Sequence, residues 1–257
     1  MTQVRPAAVA GRFYPSGPTT LRSTVEAMLR TVTVPDDDAL ARAYVVPHAG
    51  YRFSGPVAAQ VYARLRRHAG RVRRIVLIGP SHFVPLTGLA ASPSAEWETP
   101  LGRVATPVPD GIGIDFAPHL REHSLEVQFP FLQMVLDDFT VSPVAVGKST
   151  IEETATAIDS MMDDDSVLLC STDLSHYHDE ETAKVLDRAT ADAILAGEPR
   201  RIHSGDACGR FALRGTVAWA AHHEHIPREL ALGTSADTYG GSDRVVGYPA
   251  FAFGRFE

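Results

Sequence analysis

Three short runs constrain this chain more than any other feature. Residues 43–46, 75–78 and 167–170 read Ala-Tyr-Val-Val, Ile-Val-Leu-Ile and Val-Leu-Leu-Cys, apolar at consecutive positions rather than alternate ones. A strand with one face in water alternates, so these runs predict strands buried on both faces, as in a parallel sheet covered by helices. Between them the apolar period becomes helical: Leu21, Val25, Met28 and Leu29 form one stripe, and Val57, Val61 and Leu65 another after Ser54-Gly55-Pro56. Helices are also predicted from near His123 toward Leu136, with a kink at Pro130, and over residues 154–162, 180–195 and 211–223. Residues 139–146 and 245–253 have strand character. This alternation predicts one three-layer α/β/α domain over residues 1–257 with a mixed, largely parallel sheet.

Bulk composition narrows the function classes. Hydrophobic residues are 44% and charged residues 21%, as in a chain that packs a core. The formal net charge of −7 argues against nucleic acid or an anionic membrane as partner. The arginine-rich stretch 64–74 reads as a solvated helix end and loop, and the acidic clusters at 36–38 and 163–165 as loop or helix-end caps. Two cysteines imply a reducing compartment rather than a disulfide framework. No apolar run approaches the ~18 residues a membrane span needs, and the first residues lack a signal-peptide core, so a cytoplasmic location is expected.

The chemistry gathers just past the three buried runs. They lead into Pro47-His48-Ala49-Gly50-Tyr51, Gly79-Pro80-Ser81-His82 and Ser171-Thr172-Asp173-Leu174-Ser175-His176. Open α/β sheets bind ligands at the carboxyl ends of their strands, so neighbouring strands would bring His48, His82 and His176 to one cavity. Imidazole serves there as metal ligand or general acid/base. His68, His119, His203 and the group His222, His223, His225 lack this setting and read as surface residues. Asp173 could orient an imidazole or cap a following helix. Glu122 and Glu126 flank His123 and share a helix face, or form an ordinary acidic first turn. Cys208, between a small-residue turn and a helix, is expected to have a lowered thiol pKa, whereas Cys170 reads as an inert core residue.

These motifs, together with Ala10-Gly11-Arg12-Phe13-Tyr14, Glu122-His123-Ser124 and Cys208-Gly209, resemble the ordered motifs of the Memo family over nearly the whole chain. In bacteria and archaea that family is also called AmmeMemoRadiSam system protein B, which implies a functional link to an AMMECR1-like protein and a radical SAM protein. The family is similar in fold to class III extradiol ring-cleavage dioxygenases, which hold Fe(II) through two histidines and a carboxylate. The resemblance implies His48 and His82 as the histidine ligands and Cys208 as the third. It implies His176 as a catalytic acid/base beside the metal, accompanied by Asp173, and His123 as a further pocket residue. Iron(II) is the expected cofactor, with copper or zinc open because a thiolate is the softer ligand.

Three functions follow. The first is a non-heme, metal-dependent oxidoreductase acting with O2 or a reactive oxygen species. The second is a non-catalytic module that binds a phosphorylated or carboxylated peptide, or another small molecule, in the same pocket. The third is a nucleophilic enzyme with Cys208 as thiolate and His176 as base.

Overall fold

The computed structural model describes residues 4–256; the single-domain expectation over 1–257 also takes in residues 1–3 and 257, which lie outside the described residues. In chain order the elements are β1 (Val4–Arg5), α1 (Pro18–Arg30), β2 (Ala43–Val46), α2 (Tyr51–Arg67), β3 (Arg74–Pro80), β4 (Leu89–Ala91), β5 (Glu96–Thr99), β6 (Gly102–Ala105) and α3 (His123–Glu126). There follow α4 (Phe129–Val135), β7 (Thr140–Val146), α5 (Ile151–Met161), β8 (Ser166–Ser171), β9 (His176–His178), α6 (Glu180–Leu195), α7 (Arg210–His222), β10 (Ile226–Thr234) and β11 (Val245–Gly254).

The main sheet runs β10-β11-β2-β8-β3-β7-β4, with β9 added against β11. The pairs β2–β8, β8–β3 and β3–β7 are parallel, while β4, β10 and β11 pair antiparallel. A parallel centre with antiparallel edges is the expected mixed sheet, and β2, β8 and β3 are immediate neighbours. Period two divides their side chains between two apolar layers. Tyr44, Val46, Ile75, Leu77, Val167 and Leu169 pack on the side of α1, α2 and α4. Ala43, Val45, Val76, Ile78, Leu168 and Cys170 pack on the side of α5 and α7. These layers account for the unbroken apolar runs.

Several boundaries differ from expectation. α2 starts before Ser54-Gly55-Pro56 and runs through it. Gly55 lets the tip of the Met28 side chain of α1 pack directly on the α2 backbone. The predicted helix from His123 to Leu136 is two helices, α3 and α4, separated at Val127 and Gln128. Pro130 stands in the first turn of α4, where a missing N–H costs nothing. α5 begins three residues early because Thr150 and Glu153 form a capping box.

Two surface assignments are also corrected. His119 is fully buried, with Nε2 3.0 Å from Ala90 O, and burial lowers its pKa to about 4. Arg64 is buried against Asp38 at 3.5 Å, whereas Arg66 and Arg67 further along the same run are more exposed. Both burials arise from contacts distant in sequence, which local polarity does not reveal. Among the described residues no helix is long and apolar enough to cross a membrane.

Candidate metal centre

The parallel register of β2, β8 and β3 sets their carboxyl ends at one edge. His48, Asp173 and His82 each follow their strand by two residues. α3 delivers His123 to the same edge. Ligand nitrogens of His48, His82 and His123 all lie within 4.8 Å of one another, close enough to hold a metal ion. The third imidazole of this group is therefore His123; His176, expected to converge from the end of β8, stands outside it.

Hydrogen bonds choose the tautomers. Ser171 Oγ donates to Ser124 O at 2.7 Å and accepts from Gln128 Nε2 at 2.9 Å. Its one hydrogen is used, so at 3.0 Å it accepts from His48 Nδ1 and leaves the His48 Nε2 lone pair free. Glu122 accepts from His82 Nδ1 at 2.8 Å and from the His82 backbone N–H at 2.6 Å, so the His82 ring is held by its Nδ1 side. A carboxylate behind a ligating imidazole orients the ring and makes it more basic. Burial works to raise the Glu122 pKa, but the His82 contacts outweigh it and bring it down to about 2. Burial, reinforced by His82, holds His48 neutral well below the ordinary imidazole range. Burial and His48 lower His123 to about 3. Neutral imidazoles are the form that binds a metal. His123 Nδ1 is buried without a hydrogen bond, 3.4 Å from Glu122 Oε1.

Cys208 approaches from the loop before α7. Its Sγ is 3.2 Å from His48 Nε2 and accepts from the Asp173 backbone N–H at 3.3 Å. Metal bonds of ~2.0 Å to nitrogen and ~2.3 Å to sulfur put two such ligands roughly 3.2–3.5 Å apart, so the spacing from His48 suits a shared ion, although Cys208 is not in the group whose donor atoms all lie within 4.8 Å. The expected lowering of the thiol pKa is reversed: burial, then the neighbouring Asp173 carboxylate, push Cys208 up to about 12. The loop turns the sulfur into the protein, where desolvation exceeds the field of the helix end. Without a cation Cys208 is a thiol, which weakens the nucleophile reading. Cys170 is fully buried in the core and is likewise pushed up to about 12 by burial.

Asp173 caps no helix, because β9 follows it. Its Oδ1 accepts from the His48 backbone N–H at 2.8 Å, pinning the loop that carries that histidine. Burial raises its pKa to about 6. His176 donates from Nδ1 to Leu174 O at 2.7 Å, leaving Nε2 able to accept a proton, and it lines a cavity of about 340 Å³ with Cys208. A bulge in β9 aims it there: Tyr177 adopts φ 64° between paired residues His178 and His176.

Glu122 and Glu126 do different jobs rather than forming one acidic face. Glu122 caps α3 and holds His82. Glu126 is buried 2.7 Å from Arg5 and accepts from Ala8 N, Val9 N and Tyr14 Oη, fastening the segment that sets Phe13 against His123 with ring centroids 4.6 Å apart. Gln128, which donates to Ser171, carried no pattern visible in the chain, and Ser171 stood in a motif without an assigned role; only the buried hydrogen-bond network shows that they orient His48.

A family profile described as Memo-like protein matches residues 5–251. A MEMO1 family protein of Methanopyrus kandleri is 34% identical, spanning 98% of this chain and 99% of its own length. Another, from Saccharolobus islandicus, is 35% identical over 96% of this chain and 98% of its own, and one from Saccharolobus solfataricus is 33% identical over the same shares.

Proposed function

The chain belongs to the Memo family, and from that premise we propose that it is a metal-dependent oxidoreductase acting with O2 or a reactive oxygen species. The metal would be held by His48, His82 and Cys208, with His123 as a further imidazole in reach. The observation that carries this reading is the convergence of three imidazoles, one backed by a buried carboxylate, with a thiol against the first. Iron(II) or copper, when bound, would supply the electron-transfer capacity that such a reaction requires. The protein's own part is to hold ligand lone pairs inward through Ser171 and Glu122, and to fix the His48 loop through Asp173. His176 would take or return a proton at Nε2.

Metal analysis after anaerobic purification tests the reading, with iron or copper expected in near-stoichiometric amount. His176→Ala should retain that metal and lose oxygen-dependent turnover; loss of the metal would make His176 a ligand instead. Folded protein that takes up neither Fe(II), Cu(I) nor Zn(II) on reconstitution sinks the proposal.

A further inference from the structure

The Cys208 sulfur meets His48 Nε2 across 160 residues of chain, yet its own loop does little to aim it. Residues 202–209 belong to no helix or strand, and Gly205 among them takes φ 97°. Ile202 and Ala207 are buried in the layer on the side of α5 and α7. The loop's internal hydrogen bonds, His203 N–H to Asp206 Oδ2 and Asp206 N–H to His203 O, close on themselves. Among the described residues, the bonds that tie Cys208 and Gly209 to the sheet all come from Thr172 and Asp173, just past the end of β8.

Thr172 is fully buried and is fixed to the neighbouring strand, since its N–H donates to Val46 O of β2 at 2.9 Å, two residues before His48. Its hydroxyl donates to Asp173 O at 2.8 Å and accepts from Gly209 N–H at 2.9 Å. Asp173 O also accepts from Cys208 N–H at 3.2 Å, and Asp173 N–H donates to the sulfur. With Asp173 Oδ1 on His48 N–H, the histidine and the cysteine hang from the same two residues. The seat is tight at Gly209. A Cβ there would lie 2.8 Å from Thr172 Oγ1, 2.9 Å from Thr172 Cβ and 3.0 Å from Ser171 O. Neither a β-branched side chain nor a strand carbonyl yields easily, so glycine is what lets the hydroxyl reach this backbone. Without that hydroxyl, Gly209 N–H would be a buried donor with no partner.

We propose that Thr172 is a positioning residue of the centre: its hydroxyl latches the Cys208–Gly209 backbone to the end of β8 and so seats the sulfur against His48 before any metal arrives. A ligand held in place beforehand binds with less reorganisation. That consequence rests on the metal-site reading, whereas the latch itself does not.

Two measurements test it, on the full chain carrying Cys170→Ala so that Cys208 is its one thiol. In metal-free protein, iodoacetamide should alkylate Thr172→Val faster than the parent by about fivefold or more, the change in local opening that one lost buried hydrogen bond produces. In Co(II)-loaded protein, the sulfur-to-cobalt charge-transfer absorption should weaken or shift in Thr172→Val, and Co(II) affinity should fall by about 10–100-fold. Thr172→Ser restores the hydroxyl and should bring both readouts back to near the parent's. Thr190→Val controls for lost stability alone: it removes a buried hydroxyl bonded to Leu186 O at 3.1 Å within α6, and should move neither readout. Gly209→Ala keeps the hydroxyl but pushes the loop off it, so it should act in the direction of Thr172→Val and replaces that variant if it does not fold. Parent-like alkylation in Thr172→Val and Gly209→Ala, Thr172→Ser as impaired as Thr172→Val, or an equal response of Thr190→Val overturns the proposal. Faster alkylation of Thr172→Val, in a protein whose parent binds Co(II) with no sulfur band, would uphold the latch while removing Cys208 from the metal ligands.

Discussion

Two groups of three histidines invite comparison. His222, His223 and His225 crowd the end of α7, whereas His48, His82 and His123 are scattered over the first half of the chain. The crowded group forms no centre. The His222 and His223 rings meet edge-on with centroids 5.3 Å apart and the His223 and His225 rings stack at 5.9 Å, but His223 turns to Asp159 at 2.6 Å. The scattered group converges because adjacent strands end together and each loop is tied down by a buried partner. Density in sequence matters less than what holds each ring.

The largest effect that would break this contrast is on metal affinity. His48→Ala or His82→Ala should lower affinity for Fe(II), Cu(I) and Zn(II) by more than about a hundredfold, since even changes behind a ligand cost 10–100-fold. His223→Ala with His225→Ala should leave every titration within about twofold of wild type. If the crowded pair mattered as much, convergence would not be the deciding property.

Cys208→Ala should weaken all three metals strongly, while Cys170→Ala leaves them unchanged and costs about 1 kcal/mol in packing, read from urea unfolding. Cys208→Glu should move preference from copper toward Fe(II). Equal affinity of Cys208→Ala and wild type would leave the centre to the imidazoles alone. Glu122→Gln keeps the shape but removes the charge behind His82, and a loss of about 10–100-fold is expected in the same titrations. An unchanged constant would reduce Glu122 to a helix cap.

The smallest effect concerns the crowded group and pH. Burial, then His223, lower the His225 pKa to about 4. The folded state therefore refuses a proton that the unfolded chain accepts near 6.5, and stability should fall as pH drops from 6.5 toward 4. Because the ring is partly exposed, less than about 1 kcal/mol is expected. His225→Gln should flatten that part of the curve of denaturation midpoint against pH; identical curves would mean the ring does not contribute.

The chain by itself determined the α/β class, the three buried strands and the placement of His48, His82 and Asp173 beyond their ends. Unbroken apolar runs have only one kind of home, and the two layers of core that flank β2, β8 and β3 provide it. Motif order likewise made the family legible. Tertiary structure alone decided that His123, implied only as a pocket residue, brings a nitrogen within reach of those of His48 and His82, and that Glu122 serves His82 while Glu126 holds Arg5. It alone buried His119 and Arg64, and turned the Cys208 sulfur inward so that its pKa rises. The physical reason is common to all of these. Strand burial is written in consecutive residues, but the partner of a polar group is set by segments distant in sequence, and desolvation depends on which of them closes over it.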